Sequence, residues 1–257
     1  MRPTSDFKFT CISLERSYDR RAHAASTLSD FNIPFTFFDA VDGLKIEIND
    51  QGHGVRDIRY GQQKFKHVVH KARWLKQRDL SATVLGCAIS HHAVYEEFSG
   101  DTRHIGLMVF EDDIFFNVNT NVFWNFLDQL PALQEFDICF FSERHCGRAS
   151  YPRGDQINEY YYRVPDPFLW YSGTSAYLLT RRGLEAVYSP EDPIQFAADD
   201  YLNYVINTRH LTVICPNTPL VVGHGILPSD INPPSESTIS PGITANHSTT
   251  RCTTQDG

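Results

Sequence analysis

Three consecutive carboxylates, Glu111, Asp112 and Asp113, follow directly on an apolar run at residues 105–110. Three ionised acids packed this closely repel one another and are costly to desolvate unless a cation neutralises them. A divalent ion with oxygen preference, Mg²⁺ or Mn²⁺, would do so, usually sharing a substrate phosphate. The alternative is a solvated acidic turn that ends the strand. A second polar group, Glu15, Arg16, Arg20 and Arg21, follows the apolar run 9–14. Cations at a strand's carboxyl end and a helix's start suit a phosphate or a nucleotide, or else form an exposed basic helix end. Ser90-His91-His92 stands inside a helical pattern. Adjacent histidines diverge on a helix, so they are no metal pair; one can face a site while its neighbour is structural.

These groups need elements to hold them. The run 105–110 reads as a strand buried on both faces, at home in the centre of a mostly parallel sheet covered by helices. In such a sheet the ligand lies at the carboxyl ends of the strands. Residues 9–14 form a strand, Ser17 starts a helix with Tyr18, Ala22, Ala25 and Leu28 on its apolar stripe, and Asn32-Ile33-Pro34 stops it before a strand at 35–38. That succession is a right-handed βαβ unit. Residues 44–62 look irregular. Residues 63–77 read as a helix, with Phe65, Val68, Val69, Ala72 and Leu75 on one face. Its other face carries Lys64, Lys66, Lys71, Arg73 and Lys76, a local basic patch suited to anionic lipid or simply a solvated face. A helix over 81–98 contains Gly86, a residue about 1 kcal/mol worse than alanine there, which points to close approach by a neighbour or ligand. A short helix at 122–130 and a strand at 136–141 follow. The aperiodic stretch 142–168 is long enough for a substrate-binding loop. A strand at 173–179, a helix capped by Thr180, a helix containing Asp199 and Asp200, and a last strand at 211–215 complete the core, followed by the apolar run 219–224. Beyond residue 228 apolar residues become rare, as in a flexible tail.

At 257 residues with 41% hydrophobic content the chain can build a full core, as one α/β domain or two small ones. A net charge of −8 argues against nucleic-acid binding. The six cysteines form no regular framework; Cys11, Cys139 and Cys215 sit in apolar runs as small buried hydrophobes, which fits a reducing compartment. No apolar stretch approaches membrane-spanning length.

Together the motifs resemble glycosyltransferase family 25, which includes bacterial lipooligosaccharide galactosyltransferases and collagen galactosyltransferases. The resemblance runs from Ile12-Ser13-Leu14-Glu15-Arg16 and Phe38-Asp39-Ala40-Val41-Asp42-Gly43 through Gly86-Cys87-Ala88-Ile89-Ser90-His91 and Phe110-Glu111-Asp112-Asp113. It continues with Gly173-Thr174-Ser175-Ala176-Tyr177, Asp199-Asp200-Tyr201-Leu202 and Ser229-Asp230-Ile231. One departure is Thr83-Val84, where the family often has a Gly-Glu pair. The resemblance implies a GT-A-like (Rossmann-like) α/β domain over residues 1–231, with 232–257 as the tail. It also implies a nucleotide-sugar donor, UDP-galactose favoured, a saccharide or glycolipid acceptor, and inversion at the anomeric carbon. The implied setting is lipooligosaccharide or lipopolysaccharide synthesis in the cytoplasm, with peripheral contact at the inner membrane face as a variant.

Carried over residue by residue, the donor side comprises Ser13, Leu14, Arg16, Arg20, Arg21, Asp42, Ser90, His91, Glu111 and Asp112. A metal (Mn²⁺ or Mg²⁺) would stabilise the departing diphosphate. Asp113 is the expected ligand, Glu111 joins it because alternation in an extended chain turns both to one side, and His224 completes the shell. Inversion needs a carboxylate to take the acceptor hydroxyl's proton; Asp199 and Asp200 are the candidates, with Asp199 favoured, and the end of the preceding strand at Ser142-Glu143 is the fallback. Two rival readings remain: a metal-dependent nucleotidyltransferase or phosphohydrolase, and a non-catalytic carbohydrate-binding relative using Tyr160-Tyr161-Tyr162 and Trp170-Tyr171.

Overall fold

The structure is a computed structural model and is described over residues 6–52, 55–68, 80–142, 154–166 and 173–223. Strand β1 (Phe7–Ser13), helix α1 (Tyr18–Asp30) and strand β2 (Phe35–Asp39) form the expected βαβ unit, with β1 and β2 parallel. The stop signal works through Asn32, whose φ of 54° lets Ile33 N–H reach Leu28 O (3.1 Å) and Asn32 N–H reach Ser29 O (2.9 Å). This is the left-handed helix cap that asparagine tolerates better than most residues.

Next come β3 (Glu47–Asp50), β4 (Val55–Tyr60) and β5 (Gln63–Val68), then α2 (Ala82–Ser99), β6 (Gly106–Glu111), β7 (Ile114–Phe116) and α3 (Thr120–Asp128). The chain continues through β8 (Ile138–Phe140), β9 (Tyr161–Arg163), β10 (Ala176–Thr180), α4 (Arg181–Val187), α5 (Ala198–Arg209), β11 (Val213–Pro216) and β12 (Val221–Gly223). The main sheet has seven strands in the order β2-β1-β6-β10-β8-β11-β9. All run one way except β10 and β9, which are antiparallel to their neighbours. The architecture is therefore α/β, with a mostly parallel sheet.

Helices cover both faces because β6 is apolar on both. Met108 and Phe110 join Cys11, Ala24, Leu28, Phe123 and Phe126 on the side of α1 and α3. Leu107 and Val109 join Val94, Phe98, Leu184, Leu202 and Val205 on the side of α2, α4 and α5. Cys11, Cys139 and Cys215 are fully buried free thiols, as expected.

Three expectations need correction. Residues 63–68 are not helical: β3, β4 and β5 form a separate antiparallel sheet, and its β4–β5 hairpin turns on Gly61 at φ 58°. Lys64-Phe65-Lys66-His67 alternates polar and less polar residues, and that period of two wins over the period-3.6 reading. Residues 44–62 likewise contain β3 and β4 instead of an irregular stretch. Finally, the run 142–168 is not wholly structureless, since β9 pairs with β11. Among the described residues no helix is long and apolar enough to cross a membrane. His224, Glu143, Trp170-Tyr171, Lys71, Arg73, Lys76, Ser229-Asp230-Ile231 and the predicted tail lie outside the described residues.

Candidate active site

The register of β1 against β6 pairs Ile12 with Glu111, which brings Ser13 beside Asp112 at the carboxyl ends of both strands. Ser13 Oγ donates to Asp112 Oδ2 at 2.6 Å. Arg20, from the first turn of α1, places Nε 2.7 Å from Asp112 Oδ1 and a terminal nitrogen 3.1 Å from Asp113 Oδ2. Burial pushes the Asp112 carboxyl up from its ordinary value, and Arg20 and Ser13 offset this only in part. Leu14 contributes its carbonyl, which accepts the Ser17 N–H (3.0 Å) and shapes the turn into α1.

The other predicted cations point elsewhere. Arg16 grips Asp42 through two nitrogens, at 2.9 and 3.4 Å. Burial alone would raise the Asp42 carboxyl, but Arg16 and the Leu44 N–H hold it below its ordinary value. Arg21 binds Asp39 (2.8 Å) and lies 4.5 Å over the Phe37 ring. Ser90 is fully buried; its hydroxyl donates to Gly86 O and accepts the Val41 N–H, so it braces the 41–43 loop against α2 instead of opening to a ligand.

Glu111 belongs to a different cluster. Because β10 runs antiparallel to β6, the segment leading into β10 lies at the carboxyl end of β6. Thr174 Oγ1 there donates a short hydrogen bond to Glu111 Oε1. His91 Nε2 is 3.4 Å from Thr174 Oγ1 and 3.6 Å from Glu111 Oε1. Its Nδ1 is 2.7 Å from Tyr177 Oη, which is 2.7 Å from Tyr95 Oη. Burial would raise the Glu111 carboxyl, but His91 and Thr174 outweigh it and hold it below its ordinary value. His92 projects away, toward Tyr188, into a groove of about 520 Å³ also lined by Arg59, Lys64 and Glu96. The two histidines thus point in different directions, as adjacent residues on a helix do.

Asp199 lies in the first turn of α5, and both its oxygens accept backbone N–H groups: Oδ2 from Gly173 and Oδ1 from Asp200, each at 2.9 Å. Glu111, Asp112, Asp113 and Asp199 all act electrostatically on the Cys87 thiol, which burial first and these acids next push far above its ordinary value. Adjacent residues link the two acidic stretches, because Gly173 N–H binds Asp199 and Thr174 Oγ1 binds Glu111.

The expectation that Glu111 and Asp113 face one side is corrected. Asp112 and Asp113 form a turn between β6 and β7, so strand alternation ends at Glu111. Glu111 engages Thr174 and His91 while Asp113 engages Arg20. Among the described residues no three His, Cys, Asp or Glu side chains are grouped to hold a metal ion. With Arg20 seated on both aspartates, the described residues alone do not fit a complete Mn²⁺ or Mg²⁺ shell.

The sequence motif containing Thr174 and Tyr177 gives neither residue a role, and Tyr95 stands in no motif. The available signal was a tyrosine inside an otherwise apolar strand, since a buried phenol needs a hydrogen-bond partner.

Over residues 7–202 the sequence matches the profile described as glycosyltransferase family 25 (LPS biosynthesis protein). A protein of Acanthamoeba polyphaga mimivirus that carries a glycosyltransferase name is 35% identical over 115 residues. That match covers 44% of this chain and 31% of the relative, so it spans about a third of the viral protein's length. Among solved structures, A197 from STIV overlays with a TM-score of 0.40 at 12% identity, covering 81% of this chain and 80% of that one. A Drosophila beta1,4-galactosyltransferase 7 mutant, in complex with manganese, UDP-Gal and xylobiose, overlays with a TM-score of 0.37 at 10% identity, covering 85% and 71%. Neither overlay is close enough to carry an argument about this site.

Proposed function

The chain belongs to glycosyltransferase family 25, and from that premise we propose that it moves a hexosyl group, galactose from UDP-galactose in the favoured case, onto a saccharide or glycolipid acceptor with inversion. The observation that carries this reading is that adjacent residues join the two acidic stretches, Thr174 binding Glu111 and the Gly173 N–H binding Asp199 (2.9 Å), with Arg20 set on Asp112 and Asp113. In the proposed reaction the anomeric C–O bond to the diphosphate breaks as the acceptor oxygen bonds to the same carbon from the opposite face. Negative charge builds on the departing nucleotide, and Arg16 and Arg20, beside the carboxyl end of β1, would stabilise it. Asp199 would take the acceptor hydroxyl's proton. Each of its oxygens spends one acceptor direction on a backbone N–H and keeps another for a hydroxyl. Asp200 is the alternative base. In the favoured case the acceptor is lipooligosaccharide or lipopolysaccharide, a choice that the matched family's description supports, and the reaction would run in the cytoplasm or at the inner face of a membrane.

Thermal melting with a panel of nucleotide sugars, with and without Mn²⁺, tests donor binding. UDP-galactose at about 100 times its dissociation constant should stabilise the protein by about 2.7 kcal/mol. Arg20→Gln should lose most of that gain. Stabilisation by saccharides alone, with no nucleotide sugar effective, would overturn the proposal in favour of a carbohydrate-binding relative. Hydrolysis of nucleotide substrates with no sugar transferred would favour the phosphohydrolase reading instead.

A further inference from the structure

We infer that Tyr177 is a positioning residue: its hydroxyl fixes His91 as the neutral Nε2–H tautomer and thereby orients a one-way chain of donors onto Glu111. The inference rests on the reading that Glu111 lies at the transfer site.

The direction follows from what each atom can do. An ionised carboxylate only accepts, so Thr174 Oγ1 must donate to Glu111 Oε1. With its single proton committed, Thr174 Oγ1 can only accept from His91 Nε2, 3.4 Å away, so Nε2 carries a proton. A neutral imidazole then presents a bare Nδ1, and Tyr177 Oη at 2.7 Å must donate to it. Tyr177 Oη in turn accepts from Tyr95 Oη, also at 2.7 Å. His91, Tyr95 and Tyr177 are all buried, at 2%, 2% and 0% exposure, so water does not compete for these atoms. Burial raises both phenols above their ordinary values, which keeps them protonated as donors. The i,i+4 spacing of His91 and Tyr95 on α2 puts both on the face that meets β10, so one helix face carries the chain.

The test reads the tautomer directly, by NMR of protein labelled with ¹⁵N-histidine, with His91→Gln used to assign the His91 signals. Wild type at neutral pH should show a protonated Nε2 and a proton-free, hydrogen-bonded Nδ1. Tyr177→Phe should lose that Nδ1 hydrogen bond and release the ring to mixed tautomers. Its kcat should fall with the donor KM nearly unchanged, because the variant loses an orienting contact and no donor contact. Tyr95→Phe should move both the tautomer and kcat the same way by less. An Nδ1–H tautomer or an imidazolium in wild type overturns the inference, and this holds even if Tyr177→Phe does not fold. So does a Tyr177→Phe protein whose tautomer and kcat match wild type. Because the tautomer is read without turnover, a correct tautomer in a protein that transfers no sugar would defeat the function proposal and leave the hydrogen-bond chain standing.

Discussion

Arg20 meets Asp112 and Asp113 together, and all three side chains are largely withdrawn from solvent, with 14%, 7% and 13% exposed. Two carboxylates so placed would raise each other's pKa without a cation between them. The sequence showed a cationic group and an acidic group that each wanted an opposite charge. It did not show that they satisfy one another, because they are about ninety positions apart and only the parallel register of β1 and β6 joins them. Asp199 was legible as a candidate acid, but its contact with the Gly173 N–H was not, since such a bond depends on where a distant loop comes to rest. That contact tethers the Gly173 backbone to α5, and in the proposed reaction it would also orient Asp199 as the base. Asp199→Asn should cut turnover by about 10²–10⁴ with donor affinity nearly preserved, whereas Asp200→Asn should be milder. Steady-state kinetics beside melting curves separate the two roles, because a tether alone would lower the melting temperature more than the rate. Comparable, mild losses in both variants would move the base elsewhere, and Glu111, held ionised by its neighbours, would be the first alternative.

At the scale of elements, the join between α2 and the 41–43 loop controls where Asp42 and Arg16 stand. A β-carbon added at Gly86 would lie 2.6 Å from Val41 O and 2.9 Å from Gly43 N, both backbone atoms, so the loop would have to move. Gly86→Ala should therefore destabilise the protein by about 1–3 kcal/mol, even though alanine is the better helix former. Urea denaturation checks this, and donor affinity should weaken in step as the loop shifts. A stabilised variant would show that the join is loose. The glycine's cost in a helix was readable from sequence, and so was the need for a close neighbour; which neighbour was not. The βαβ unit was readable from its apolar strands and the Asn32 stop, but the stripe of α1 was not: the helix buries Ala24 and Leu28 and leaves Tyr18 and Ala22 exposed, because its packing face is set by the sheet it covers. Strand β5 was not, because Phe65 and Val68 satisfy a helical spacing while Phe65 and His67 satisfy a strand's, and only pairing with β4 decides between them. Short strands such as β7 and β12 were hard to assign for the same reason: each exists through its partner.

Across the whole molecule, charge and topology work together. The chain carries a net charge of −8, and the two arginines that follow the carboxyl end of β1 are both held by acids, Arg16 by Asp42 and Arg20 by Asp112 and Asp113. An anionic donor bound there would compete with these carboxylates for the guanidinium groups, and a protein so acidic attracts no nucleic acid broadly. The antiparallel run of β10 delivers Thr174 to Glu111 at the carboxyl end of β6, and the neighbouring Gly173 to Asp199. The proposed function is inverting transfer at these strand ends. The most direct test supplies UDP-galactose labelled with ¹³C at the anomeric carbon together with a panel of saccharide acceptors, lipooligosaccharide cores among them, and follows the label by NMR. The account predicts one labelled sugar bonded to an acceptor with anomeric configuration opposite to the donor's, and loss of that product in Asp199→Asn. A product of retained configuration, or label recovered only as free sugar across the whole panel, would contradict it.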